Sequence, residues 1–184
     1  MTVTHLTREE LEAGLDSIRQ APRDHGTIEL IVRRPAVGQR EILDAGEFDL
    51  VEGLIGDTWK SRRNPHTPDG LPNPESQVNI MSARAIALIA QDKSRWSLAG
   101  DQLFVDLNLA LENLPPRTRL ELGTAILEVS AEPHTGCGKF VERFGVDAMK
   151  FVNSPTGRAL CLRGINARVV KNGVVRVGDR VRKA

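Results

Sequence analysis

In the opening stretch "HLTREELEAGLDSIRQ" the apolar residues Leu11, Leu15 and Ile18 recur at helical intervals, and Thr7 stands three residues before Glu10, the spacing of a capping box. An amphipathic helix is expected. After the breaker "APRDHG" the period changes to two: "TIELIVRRP" alternates apolar and polar residues over a strand length and is stopped by Pro35. "REILDAG" and "FDLVEG" predict further strands. "QVNIM" reads as a strand, and "SARAIALIAQDK" as a short, mostly apolar helix with Ser82 at its N-cap.

From Gly100 onward the pattern is one of short strands: "DQLFVDL", "TRLEL", "AILEVSAE", "LCLRGINARVV" and "VVRVGDRV". The last two are joined through "KNG", whose Asn-Gly chemistry predicts a tight hairpin. One segment interrupts the series. In "KFVERFGVDAMKFVNS" the residues Phe140, Phe144, Ala148 and Phe151 lie at helical spacing, so a helix should follow Cys137 at once. Many short strands broken by Gly and Pro favour a closed or nearly closed β-barrel, which removes exposed edges, over a parallel α/β sheet. The expected fold is therefore mainly β with flanking helices (α+β): a helical extension over residues 1–26 packed on a barrel formed by residues 27–184.

Residues 60–75, "KSRRNPHTPDGLPNPE", hold four of the ten prolines and almost nothing apolar, and are expected to form a long loop. Lids and inert insertions share this composition. If the loop is a lid, the basic trio Lys60, Arg62 and Arg63 is placed to help hold an anionic cofactor.

A chain of 184 residues with 40% apolar and 27% charged residues is long enough for one well-buried domain. Its net charge of +1, from 25 basic and 24 acidic residues, supplies no global field for nucleic acid or anionic lipid. No apolar run approaches the ~20 residues that span a bilayer, and the charged start lacks a signal-peptide stretch, so a cytoplasmic protein with neither membrane nor nucleic-acid partner is expected. Two cysteines in such a compartment are expected as thiols.

Those cysteines differ. Cys161, in "RALCLRG", has the apolar neighbours of a packing residue. Cys137, in "EPHTGCGKF", lies between glycines at the start of the expected helix, where the positive end of the dipole and unpaired N–H groups favour a thiolate. Lys139, and His134 when protonated, would add to that effect. Two readings stand at this point, a reactive thiol and an inert turn. The His-x-x-Cys spacing of His134 and Cys137 lacks a second pair for a structural zinc site, and no orienting group supports a Cys-His hydrolase. Neither a Rossmann nor a P-loop glycine pattern is present. In "RGINAR", Arg163 and Arg168 flank Asn166 on an expected strand near the cysteine, a candidate anion site.

Taken in order, "VEGLIGD", "QVNIMSARAIALI", "AGDQLFVDLNLALENLPPRTRLELGTAILEVSAEPHTGCGKF" and "GINARVVKNGVVRVGDRV" resemble the landmarks of MOSC domains, named for the C-terminus of molybdenum-cofactor sulfurases. The resemblance covers roughly residues 47–181. It implies a β-barrel like the barrel domain of pyruvate kinase, with a single cysteine, here Cys137, at its mouth. In the family that cysteine carries sulfur as a persulfide for metal–sulfur centres, or ligates the metal of bound molybdenum cofactor (molybdopterin). Many members place it after Arg-Pro or Pro-Pro, whereas Pro-His-Thr-Gly precedes it here.

By this resemblance Cys137 is the catalytic residue and the molybdenum ligand if the cofactor is bound. His134, Thr135, Gly136, Lys139, Arg163 and Asn166 are the candidate cofactor-binding residues. The pyridoxal-phosphate domain of the sulfurases is absent from the sequence. A stand-alone member with a cysteine desulfurase or other sulfur donor as partner is therefore implied, with a molybdoenzyme or metal–sulfur protein as acceptor. The alternatives are a molybdenum-cofactor-dependent reductase of N-hydroxylated substrates and a non-catalytic binding module.

Overall fold

The computed structural model describes residues 4–64 and 67–184. In chain order the elements are helices α1 (Arg8–Ala13) and α2 (Leu15–Arg19), strands β1 (Gly26–Arg33), β2 (Glu41–Leu43), β3 (Ala45–Asp49), β4 (Gly53–Leu54) and β5 (Val78–Ser82), helix α3 (Ala83–Ala90), and strands β6 (Leu103–Asp106), β7 (Arg119–Leu122) and β8 (Ala125–Val129). Helices α4 (Gly138–Asn153) and α5 (Pro155–Ala159) follow, then strands β9 (Ile165–Lys171), β10 (Gly173–Arg176) and β11 (Arg180–Lys183).

Seven strands close into a mixed barrel in the order β1, β6, β5, β9, β8, β7, β11 and back to β1. The far edge of β1 is shared: its first residues pair with β11 and its last with β2. Among the described strands β5 and β6 pair in parallel, which requires a crossover, and α3 supplies it. Ser82 caps α3 through its hydroxyl on the Ala85 N–H, and the helix ends where Gln91 turns left-handed at φ 62°.

Period-two alternation sorts the strand side chains into two cores. Ile80, Leu103 and Val105 point into the barrel, while Met81 and Phe104 point outward to a layer of helices. Leu11, Ile18, Phe140, Phe144 and Phe151 bury against that outer face. Each such side chain contributes about 1.5–3 kcal/mol on leaving water.

Several expectations are corrected. The expected N-terminal helix is two short ones divided at Gly14, where a Cβ would lie 2.6 Å from Leu88 Cδ2 of α3. Thr7 and Glu10 do form the capping box. The strands expected around residues 40–53 are three short ones, β2, β3 and β4. "LCLRGINARVV" is extended only from Ile165; Cys161 stands before it in a turn at φ 50°. "KNG" makes no hairpin: β9 pairs with β5 and β8, whereas β10 leaves the barrel to join β3 and β4 in a small second sheet. Asn172 at that exit accepts from the Leu50 N–H and donates to Asp49. "VVRVGDRV" is split by a turn with Gly178 at φ 91°.

Candidate functional site

Cys137 is held by the segment that joins β8 to α4. Ser130, just after β8, donates its N–H to the Asn166 carbonyl at 2.9 Å, and the Asn166 amide donates to the Glu132 carbonyl at 3.0 Å. Further along, the Asn153 side chain grips Gly136 from both sides: it accepts from the Gly136 N–H at 2.9 Å and donates to the Gly136 carbonyl at 3.1 Å. A Cβ at Gly136 would come within 3.1 Å of Val152 Cγ2, a tight contact that favours glycine here.

The next residue, Cys137, is extended (φ −127°, ψ −179°) and is the N-cap of α4, its carbonyl accepting from the Phe140 and Val141 N–H groups. Its thiol takes no capping bond and is exposed. Space is open around Gly138, where an added Cβ would meet nothing within 4 Å. Lys139 and Thr135 are also exposed. The helix that follows packs as its spacing predicts, with Phe140, Phe144, Ala148 and Phe151 buried, although Gly145 breaks it at φ 87°.

Cys161 is the opposite case. It is half-buried, its Sγ–H faces the Arg158 carbonyl at 3.6 Å, and burial pushes its thiol pKa up.

His134 lies in a buried cluster with Asp101 and Arg163. Its Nδ1 is 3.5 Å from Asp101 Oδ1, and the other Asp101 oxygen accepts from Arg163 Nη1 at 2.7 Å. Arg163 Nη2 reaches the Ala99 carbonyl, and its guanidinium stacks over Phe140 at 5.1 Å. Burial, then the charges of Arg163 and Arg34, hold the His134 pKa well below the ordinary imidazole value. His134 is therefore neutral at physiological pH, which corrects the expectation that a protonated His134 supports a thiolate. Burial raises the Asp101 pKa, and Arg163 opposes that shift.

A second group was not legible as a site. Arg34, at the end of β1, forms a buried two-point pair with Asp57 (Nη2–Oδ1 2.7 Å, Nε–Oδ2 2.8 Å) and donates to the Gly100 carbonyl at 3.0 Å. Arg40, Arg62 and Arg143 gather around it. The pKa of Arg40 is lowered by burial and then by Arg143, Arg34 and Arg62; that of Arg62 is lowered by burial and then by Arg34. Arg34, Trp59, Arg62, Arg63, Asn73 and Asn79 line a cleft of about 230 Å³ there.

This cleft joins the long loop to the barrel, so two of the three basic residues singled out in that loop do face it. Lys60 instead pairs with Glu52. Pro65 and His66 of the loop lie outside the described residues. Asn79 connects the two groups, donating to Asn166 Oδ1 at 2.5 Å. Arg168 turns away to Glu128 and Glu75. Arg34 and Asp101 carried no signal beyond charged residues at strand ends, and Asp57 one only within the Gly-Asp landmark.

Among the described residues no cluster of three His, Cys, Asp or Glu side chains is placed to hold a metal ion. The donors do suit a cofactor that brings its own metal ligands. The crowded arginines, with Asp57 as the close counter-charge, suit a phosphate, and the exposed Cys137 sulfur suits a thiophilic metal.

A family model described as "MOSC domain" matches residues 68–182. Among solved structures, the YuaD protein of Bacillus subtilis superposes with a TM-score of 0.65 at 18% identity, covering 85% of this chain and 93% of its own. YiiM of Escherichia coli gives 0.55 at 18% identity (86% and 69% covered), and YiiM of Geobacillus stearothermophilus 0.57 at 12% (86% and 75%). At these identities the likeness speaks for the fold. No curated protein matches the sequence.

Proposed function

We propose that this chain, which belongs to the MOSC domain family, works through Cys137 as a sulfur carrier in metal–sulfur cofactor assembly. The observation that carries the reading is the exposed Cys137 thiol on a loop fixed at Gly136 by Asn153, against a second thiol that is half-buried and harder to ionise. Persulfide transfer needs a sulfur that another protein can reach and a backbone that holds it still. The Cys137 thiolate attacks the terminal sulfur of the donor's persulfide. A new S–S bond forms as the donor's S–S bond breaks, the donor thiolate leaves, and no external oxidant is consumed. The donor is a cysteine desulfurase, the acceptor a molybdoenzyme or metal–sulfur protein, and the setting cytoplasmic. Among the described residues no helix is long and apolar enough to cross a membrane.

A second reading, a molybdenum-cofactor-dependent reductase of N-hydroxylated substrates, is favoured by one observation, the concentration of Arg34, Arg40, Arg62 and Arg143. These side chains would hold the cofactor's phosphate and Cys137 its metal; bound there, the cofactor would supply two-electron reduction.

Incubation with a cysteine desulfurase and cysteine, followed by intact-protein mass measurement, tests the carrier. A gain of about 32 Da, one sulfur, is expected, removable by reductant, absent in Cys137→Ser and retained in Cys161→Ser. No adduct on the wild type, or an adduct that survives Cys137→Ser, overturns it. Stoichiometric molybdenum in protein from a cofactor-producing host, without the sulfur adduct, selects the reductase.

A further inference from the structure

Behind the Cys137 loop lies a cavity of about 310 Å³ that neither reading above uses. Leu111, Leu114, Val129 and Ile165 make its walls largely apolar, and the Cys161 thiol opens onto it. Cys137 does not line it. Its volume lies at the lower end of the range for small-molecule sites, and its lining has their composition, apolar walls with a few polar groups.

Those polar groups decide what fits. Arg163 gives its two terminal nitrogens to Asp101 and the Ala99 carbonyl and lies over the Phe140 ring, and its Nε, which has no partner, is buried out of reach of an incoming anion. Asn166 spends its amide on Asn79 and on the Glu132 carbonyl. His134 remains. Its Nδ1 is wholly buried with no hydrogen-bond partner within bonding distance, and it faces Asp101 Oδ1 at 3.5 Å. The side chain nevertheless keeps 15% of its surface and lines the cavity, so the Nε2 edge of the ring is what reaches it. Asp101 Oδ1 faces Nδ1 at 3.5 Å while Arg163 pairs with the other carboxylate oxygen at 2.7 Å, an arrangement that places the imidazole proton on Nδ1 and leaves Nε2 as a lone-pair acceptor. Glu132 and Arg158 also line the cavity, but both are exposed and keep their charges in water; a charged ligand drawn in beside His134 would be desolvated without a partner there, whereas a neutral donor would gain one.

We propose that this cavity binds a small, neutral, largely apolar molecule carrying one N–H or O–H donor, and that the donor is given to His134 Nε2. The site is independent of sulfur transfer at Cys137. Asp101 acts as a positioning residue that fixes the ring and its proton.

Phenol, which carries the donor, and anisole, which lacks it, are the probes, and protection of Cys161 from alkylation measures occupancy. Phenol should protect Cys161 in a saturable way and leave Cys137 labelling unchanged. Relative to His134→Phe, the wild type should show a phenol-to-anisole affinity ratio higher by about fivefold, the worth of one neutral hydrogen bond. Leu111→Trp, at a rim position already 53% exposed, guards against a misfolded His134 variant and should abolish phenol protection. No protection of Cys161 by phenol, equal protection of both cysteines, an unchanged ratio in His134→Phe, or undiminished protection in Leu111→Trp overturns the proposal.

Discussion

Replacing Glu128 with glutamine keeps the shape of a β8 side chain and removes the charge on which three arginines converge. Only 7% of the Glu128 side chain is exposed, and its oxygens accept from Arg168 Nη2 at 2.7 Å, Arg117 Nη1 at 3.0 Å and Arg119 Nε at 3.2 Å. The Arg168 hydrogen bond, then that of Arg117, lowers its pKa from 4.5 to about 2. A difference of about 2.5 pH units corresponds to a ceiling of ~3.4 kcal/mol of folding stability. The arginines are 37–67% exposed, so solvent screening reduces the expected loss to ~1–2 kcal/mol.

For a chain of this length that is a fall in Tm of about 2–8 °C. Because the folded-state pKa lies below the unfolded one, the stabilisation is complete above pH ~4.5 and is lost as the pH falls toward 2. Urea unfolding of wild type and Glu128→Gln at pH 7 and at pH 2.5 should therefore show a penalty at the first pH that shrinks at the second. Concentrated salt should reduce it at pH 7. A variant as stable as wild type at pH 7, or a penalty that does not change with pH, refutes the reasoning.

Two further outcomes follow from the contacts around the site. Asp57→Asn leaves Arg34 buried without its counter-charge and should cost about 3–5 kcal/mol in urea unfolding; since the Asp57 pKa is lowered on balance, the Arg34 contacts outweighing burial, the difference from wild type should narrow as acid protonates the wild-type carboxyl. Asn153→Ala removes both bonds to Gly136, should cost about 1 kcal/mol, and should change the iodoacetamide reactivity of Cys137 while leaving that of Cys161 as it was.

What the sequence disclosed is what short-range patterns encode. The aromatic spacing after Cys137 sufficed for the helix because Phe140, Phe144 and Phe151 all meet one buried layer, and Ser82 announced its helix through a bond only three residues long. "KNG" misled for the converse reason. Asn-Gly specifies a change of direction, but the partner of β10 is the free edge of β3, far earlier in the chain, and no local feature names it. Arg34, Asp57 and Asn79 become a site only when three separate segments meet, and a charged residue at a strand end looks the same whether it faces solvent or a buried carboxylate. Arg163 and Asn166 stand out in "RGINAR" as polar residues on an expected strand, but their partners come from Asp101, Ala99, Asn79 and Glu132, on other elements that the local pattern does not name.

The pairing of β1 with β11 has a bearing on how the protein is made. The ribosome delivers the chain from one end, so Gly26 and Thr27 emerge long before Arg180 and Val181, the residues that meet them. Until then β1 and β7 each present an unpaired edge, and an open sheet with free edges is an invitation to a second nascent chain. β11 therefore serves as a latch: a polypeptide stalled or clipped before it would retain most of its apolar interior and still lack the strand that shuts it, which makes the arrival of β11, rather than the strength of any single contact, the moment at which this barrel becomes safe from aggregation.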